Sequence, residues 1–206
     1  MEVLNVYFCH PEIVKMKKIL GTSLFVILLM SGSYAQTDSI VFPEVDKSPM
    51  DMSYCPVNFP VLKISEKVTG SPFIRVIYGR PNKNGRAIFG DLVEYGNIWR
   101  LGANEAIEIE FYKDVTVDSK KIKKGRYTLY AIPGKNDWTM ILNKDTDIWG
   151  AFKYDSTNDV ARVTVPVNMI DKPVETLSMT FDKFNTGFNL VIAWDTVEVK
   201  LPIVLK

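Results

Sequence analysis

Short runs of alternating apolar and polar residues, broken by Gly, Pro, Asn or Asp at intervals of about ten residues, fill most of the chain beyond Pro60. A run with period two sends successive side chains to opposite faces, so it builds half-buried strands and cannot lay an apolar stripe along a helix. In residues 106–111, Ile107, Ile109 and Phe111 point one way while Glu108 and Glu110 point the other. Residues 115–117 and 120–122 flank Asp118-Ser119, a pair suited to a tight hairpin turn. Gly125 opens a run at 126–132, and further strands are expected at 63–68, 73–78, 138–143, 160–165, 175–181, 189–194 and 196–204. Pro202 places the end of the last one at an edge, because proline has no amide hydrogen for a ladder. Beyond the leader no helical stripe is sustained, and residues 90–94 offer at most a short helical turn. The expectation is an all-β domain of about ten strands, a two-sheet antiparallel sandwich or jelly roll, with a closed barrel as the alternative.

The first sixty residues read differently. Met16-Lys17-Lys18, an apolar run at 19–30 and small residues ending at Ser33 and Ala35 have the order of a secretory signal peptide. The apolar run falls short of the roughly 20 residues a spanning helix needs, so no permanent membrane span is expected. Residues 1–15 precede this pattern as a probable start-site extension, with translation expected to begin at Met16. Cleavage after Ala35 would release a secreted or periplasmic protein, and no cysteine follows the cut to accept a lipid. Residues 36–60 hold Pro43, Pro49, Pro56 and Pro60 without a persistent period, and are expected to form a Pro-rich linker or wrapped arm ahead of a domain at 61–206.

This cut decides which chemistries remain. It removes Lys15, Lys17, Lys18, Glu2 and Glu12 from 25 basic and 24 acidic side chains, leaving 22 of each. A neutral chain lacks the basic surplus of a nucleic-acid binder. It also removes Cys9 and His10, the single histidine of the sequence. Without histidine there is no Ser-His-Asp or Cys-His nucleophile system and no histidine-ligated metal. Cys55 then stands alone in the Pro-rich stretch, outside the expected core, and makes no internal disulfide. Asn143, Asp145 and Asp147 alternate like calcium ligands, but Ile148 occupies the position of the sharp-turn glycine and Tyr154 that of the bidentate acid. No metal and no cofactor is implied.

The stretch 78–105 carries little alternation and mixes Arg80, Arg86 and Arg100 with Tyr95, Trp99, Asn104 and Glu105, between glycines at 79, 85, 90, 96 and 102. Long structured loops are often functional, and guanidinium forks match carboxylate, sulfate or phosphate oxygens in pairs. These arginines either form an oxyanion receptor or tie loops to Asp91, Glu94, Glu105 and backbone carbonyls. If the alternation of the next strand extends back to Glu105, its carboxylate faces the core and needs a cation, with Arg100 nearest in sequence. Glu105 with Asp91 or Glu94 is the one acid set that would serve a glycosidase-like pair. Trp138, Trp149, Phe152 and Tyr154 crowd a second loop region, where Trp149 is a candidate platform. Lys120, Lys121, Lys123 and Lys124 flank a hairpin as a solvated face.

Arg80-Pro81, Lys83, Gly85-Arg86, Ile88-Phe89-Gly90, Leu92-Val93, Tyr95-Gly96, Trp99-Arg100 and Gly102-Ala103-Asn104-Glu105-Ala106 resemble the central signature of the domain-of-unknown-function family numbered 2911. Gly125, Tyr127, Leu129, Ile132-Pro133, Trp138, Asn143-Lys144, Trp149-Gly150-Ala151, Tyr154-Asp155, Trp194, Glu198 and Pro202 extend the likeness over nearly all of 63–204. The resemblance implies a secreted or periplasmic protein of the Bacteroidota type and supplies no catalytic residues. The chain departs from the pattern at Gly79, Glu94 and Leu101, where Ser, Pro and Thr are expected.

Three functions follow as expectations. The first is an extracytoplasmic module binding a small polar, anionic or sugar-like ligand through Arg80, Arg86, Arg100, Asn104, Tyr95, Trp99 and Trp149. The alternatives are a histidine-free hydrolase using Glu105 with Asp91 or Glu94, and a structural or interaction protein of the cell envelope with a protein partner.

Overall fold

The computed structural model describes residues 40–205, and Pro43–Lys206 form one compact unit. The expected start-site extension and signal peptide lie outside the described residues. Within them the chain is nearly all strand: β1 (Met50–Cys55), β2 (Ile74–Gly79), β3 (Ile107–Phe111), β4 (Val115–Val117), β5 (Lys120–Ile122), β6 (Gly125–Pro133), β7 (Asp137–Asn143), β8 (Asp159–Phe184) and β9 (Gly187–Leu205). One short helix, α1 (Phe59–Ile64), and one 3-10 turn, Ser156–Asn158, complete the set of regular elements there.

All strand pairs are antiparallel, in the order β1-β2-β3-β6-β7-β8-β9-β4-β5. The long strand β8 joins the two halves. It pairs with β7 up to Pro166 and with β9 from Val167 onward, and its register with β9 shifts between Met169 and Ser178. Those irregularities let one strand belong to both halves. The far half of β8 then meets the chain leaving β2: Leu177 donates its N–H to Pro81 O, Lys83 to Glu175 O, and Asn82 forms an isolated bridge with Thr176. The ladder nevertheless does not close into a barrel, and β1 and β5 stay at its ends. One contiguous core draws Ile74, Ile109, Leu129 and Met140 from one half and Val115, Ile192, Val199 and Ile203 from the other, as in a sandwich folded from a single sheet.

Several local expectations give way to tertiary context. The segment read as a linker or arm supplies the edge strand β1, paired with β2 along its length. The run at 63–68 is not a strand: Pro60 sits in the first turn of α1, Phe59 alone is buried, and Glu66 takes φ 56 just beyond the helix. Residues 90–94 make no helix; Val93 N–H donates to Ile88 O and Gly90 N–H to Val93 O, closing a tight turn with Gly90 at φ 90. The four expected strands after residue 160 merge into β8 and β9, with Asp195 at φ 54 marking the irregularity between the two halves of β9. Pro202 lies past the last β8 partner of β9, Val199, and before its first β4 partner, Ile203, so no ladder bond is lost there. Asp118 and Ser119, at φ 45 and 64, form the two-residue turn between β4 and β5.

Cys55 is part of the core, fully buried against the expectation of a peripheral thiol, because β1 folds onto β2. Burial pushes its pKa from 9.0 to about 12. A raised folded-state pKa means that the thiol's contribution is fully present below about pH 9 and is lost as pH climbs toward about 12. Alkylation of the Cys55 peptide at pH 8, followed by mass spectrometry, is therefore expected to track global unfolding and to be immediate only in denaturant; rapid labelling of the native protein would contradict this burial.

Candidate functional site

The loop between β2 and β3 is pinned at intervals rather than being mobile by construction. Trp99 exchanges two backbone hydrogen bonds with Ala131 of β6, at 2.8 and 2.9 Å. Gly96 N–H reaches Pro133 O and Ala106 N–H reaches Ile148 O, both at 2.8 Å. Between these pins the chain passes close over the end of β2. A Cβ on Gly79 would stand 2.5 Å from Ala103 O, so the serine that the family resemblance leads one to expect at that position would not fit this path. Leu101 is held at φ 61 with its side chain fully buried. A left-handed leucine is strained and persists only where its surroundings fix it.

The rings beneath this loop form one cluster. Trp99 stacks on Trp194 with centroids 6.1 Å apart and planes at 14°, and meets Trp138 edge-on at 5.7 Å. Phe89 lies within 5.1–6.4 Å of all three indoles. Trp194 donates its indole N–H to Glu175 O, which ties β9 to β8 at the same place. Above the cluster opens a cavity of about 220 Å³, floored by Trp99 and Trp194, walled by Pro81, Leu92 and Val93, and bearing Arg86, Arg100 and Ser48 as its polar groups. Among the described residues no carboxylate lines it.

The three arginines end in three environments. Arg80 is locked: its guanidinium donates to Asp51 Oδ2 at 2.7 Å, Leu177 O at 3.1 Å and Ser178 Oγ at 3.0 Å. Arg86 donates Nε to Lys83 O and one terminal nitrogen to Asn82 O, leaving its other terminal nitrogen without an acceptor among the described residues. Arg100 has no ion pair and no hydrogen bond from its guanidinium there, and its Nε is buried without a partner. Of the six arginines in the described chain, Arg75, Arg80, Arg126 and Arg162 pair with carboxylates. Arg86 and Arg100 are the two that do not, and they share the cavity. Burial pulls Arg100 below arginine's usual range, yet a guanidinium stays protonated in proteins. Two arginines without an acid partner among the described residues thus border one hollow floored by indoles, which suits an oxyanion on a small apolar body.

The other candidates separate. Glu105 is exposed, lines a different cavity of about 190 Å³, and is not paired with Arg100. The alternation that would have turned it inward ends at Ala106 and Ile107, both buried, where the chain bridges to Trp149. Asp91 and Glu94 are exposed and line neither that cavity nor the arginine cavity, and Glu94 accepts a hydrogen bond from Asn97. Tyr95 packs over Gly90 and borders a third cavity beside Lys135. Asn104, at φ 61, holds the adjoining loop through its carbonyl, which accepts from Gly150 N–H. Trp149 is 63% exposed, belongs to that loop, and is not among the residues lining the arginine cavity. Trp194, nearly a hundred residues from Trp99, escaped the sequence reading as a site residue, since a Trp in an alternating run signals core alone.

The class is thus an all-β domain, one curled nine-stranded antiparallel sheet bearing a cation-lined cavity in the loop after its second strand. The chain matches DUF2911, described as a protein of unknown function, over residues 60–203, and it belongs to that family. No curated protein and no solved structure matches it.

These environments predict opposite stability effects. Arg80→Met should cost about 1–2 kcal/mol, because it leaves Asp51 and a strand carbonyl without their donor. Arg100→Met should be neutral or raise stability by about 1 kcal/mol, because it removes an unpaired, partly buried cation. Urea titrations of both variants check this, and a large loss in Arg100→Met would show that the guanidinium is a structural pin.

Proposed function

We propose that this protein is an extracytoplasmic binding module for a small molecule carrying a carboxylate or similar oxyanion on a short apolar body. The observation that carries the reading is Arg100, without an acid partner among the described residues, lining with Arg86 a hollow that none of their carboxylates lines. A cation desolvated without a partner lowers stability, and sites that retain such a cost commonly recover it on binding. The volume, about 220 Å³, lies below the usual 300–1,000 Å³ range of drug-sized pockets and favours a ligand of few heavy atoms. Trp99 and Trp194 are 8% and 2% exposed, so they contribute an apolar floor rather than a broad stacking surface. The alternative of a carboxylate-dependent hydrolase has less support, since Asp91 and Glu94 do not share the cavity that Glu105 lines.

Placement outside the cytoplasm rests on the leader, with its Met16-Lys17-Lys18 start, apolar run and small residues at Ser33 and Ala35. Expression with the leader intact should yield a secreted or periplasmic product beginning at Gln36; terminal sequencing that finds residues 16–35 retained would count against it.

Thermal-shift titration with acetate, isovalerate, benzoate, phosphate and sulfate tests the ligand reading. At least one carboxylate with an apolar body should raise the melting midpoint, since saturation at about 100 times Kd adds about 2.7 kcal/mol. Arg100→Met should abolish that shift, with Arg86→Met weakening it. A flat response from the unmodified protein, or an equal response from Arg100→Met, would sink the proposal.

A further inference from the structure

Trp149 and Phe152 form a shelf on the loop between β7 and β8. They are 63% and 82% exposed, with ring centroids 5.8 Å apart and planes 18° apart. Two large rings left in water on a well-held loop are an unusual arrangement. Gly150, at φ 73, donates its N–H to Asn104 O at 2.9 Å, and a Cβ there would stand 2.7 Å from Phe152 Cε2. The phenyl ring therefore rests against a bare glycine. Ile148 O, one residue before the shelf, accepts from Ala106 N–H at 2.8 Å, so both sides of the loop are tied to the start of β3. A shelf fixed in advance loses little ordering entropy when a ligand arrives.

Its border is polar. Glu105 and Trp149 face each other in an isolated antiparallel bridge, and directly opposed residues in such a pair project to the same side. The Glu105 carboxylate is thereby placed beside the indole. It is exposed and has no ion pair or hydrogen bond among the described residues, and the Asn104 side chain next to it likewise has none. The stacked pair leaves the outer face of each ring open to solvent, whereas enclosing a quaternary ammonium takes rings set around the cation. A pyranose fits such an outer ring face: its axial C–H hydrogens, slightly positive, meet the negative face of the ring, while its hydroxyls donate to a carboxylate and an amide at the edge.

We propose that the Trp149–Phe152 shelf, with Glu105 and Asn104 on its border, binds a pyranose ring of a neutral oligosaccharide. None of these four residues lines the Arg100 cavity, so this is a second site, independent of the oxyanion reading.

Isothermal titration of the purified protein with cellotriose, tri-N-acetylchitotriose and choline decides it. One of the two trisaccharides should bind with Kd of about 1 mM or tighter. Trp149→Ala and Phe152→Ala should each weaken that binding about tenfold, Glu105→Gln by about threefold, all with unchanged melting midpoints, given that these side chains are exposed. Arg100→Met should bind the sugar like the unmodified protein, which separates this site from the cavity. Absence of heat with both sugars, unchanged affinity in Trp149→Ala, or binding of choline in place of either sugar would each overturn the proposal.

Discussion

Phe89, Trp99, Trp138 and Trp194 are the joint on which the rest of this structure depends. They come from the β2–β3 loop, from β7 and from β9, segments that no local sequence contact would bring together. Each large aromatic buries on the order of 150–250 Å², and edge-to-face pairs add to that burial. Packed as a unit, they fix the loop over the seam where β8 passes from one half of the sheet to the other. Without this joint, the stretch after β2 would be a long loop with few apolar anchors. With it, Pro81, Leu92, Val93 and the two arginines are held around a hollow of defined shape.

Residue type alone does not set what an arginine does here. Arg80 and Arg100 leave the chain toward the two ends of the same loop, yet one meets Asp51 and two oxygens of β8 while the guanidinium of the other meets no acceptor among the described residues. The difference is one of supply. β1 brings Asp51 alongside the end of β2, so Arg80 is satisfied by the fold itself. The cavity that Arg100 lines brings Trp99, Gly102, Ala103 and a second cation, Arg86, but no acid among the described residues. Strain is stored at the same place, in the left-handed Leu101. Unpaired charge and unfavourable backbone on adjacent residues are the pattern of a position shaped for binding rather than for stability.

Much of the strand pattern was readable because period two is a local property. Ile107, Ile109 and Phe111 face the core as their alternation implied, and Asp118-Ser119 turns the hairpin as its chemistry implied. The reading faltered where burial comes from partners distant in sequence. Residues 50–55 alternate over only a few positions inside a Pro-rich stretch, yet become β1 because β2 offers them an edge. Residues 63–68 are expected as a strand, yet Pro60 and a single burial demand at Phe59 favour α1. Glu105 was placed inward by extending an alternation one step past the point where the bridge to Trp149 interrupts it. The site was legible as a stretch of chain, with Arg86, Arg100 and Trp99 in it, but Trp194 could not be attached to it from spacing alone.

The sequence by itself determined the all-β class, most strand positions, the absence of any histidine beyond His10, and the family, since each depends on residue identity or on spacing over a few positions. Tertiary structure alone decided that β8 serves both halves of one sheet, that Cys55 is core, and that Arg100 rather than Arg80 is left without an acid. It also separated Trp149 from the arginines with which it shares no cavity. The physical reason is that burial and charge pairing are set by which distant segments meet, and a chain's local pattern fixes which face is apolar without fixing what will cover it.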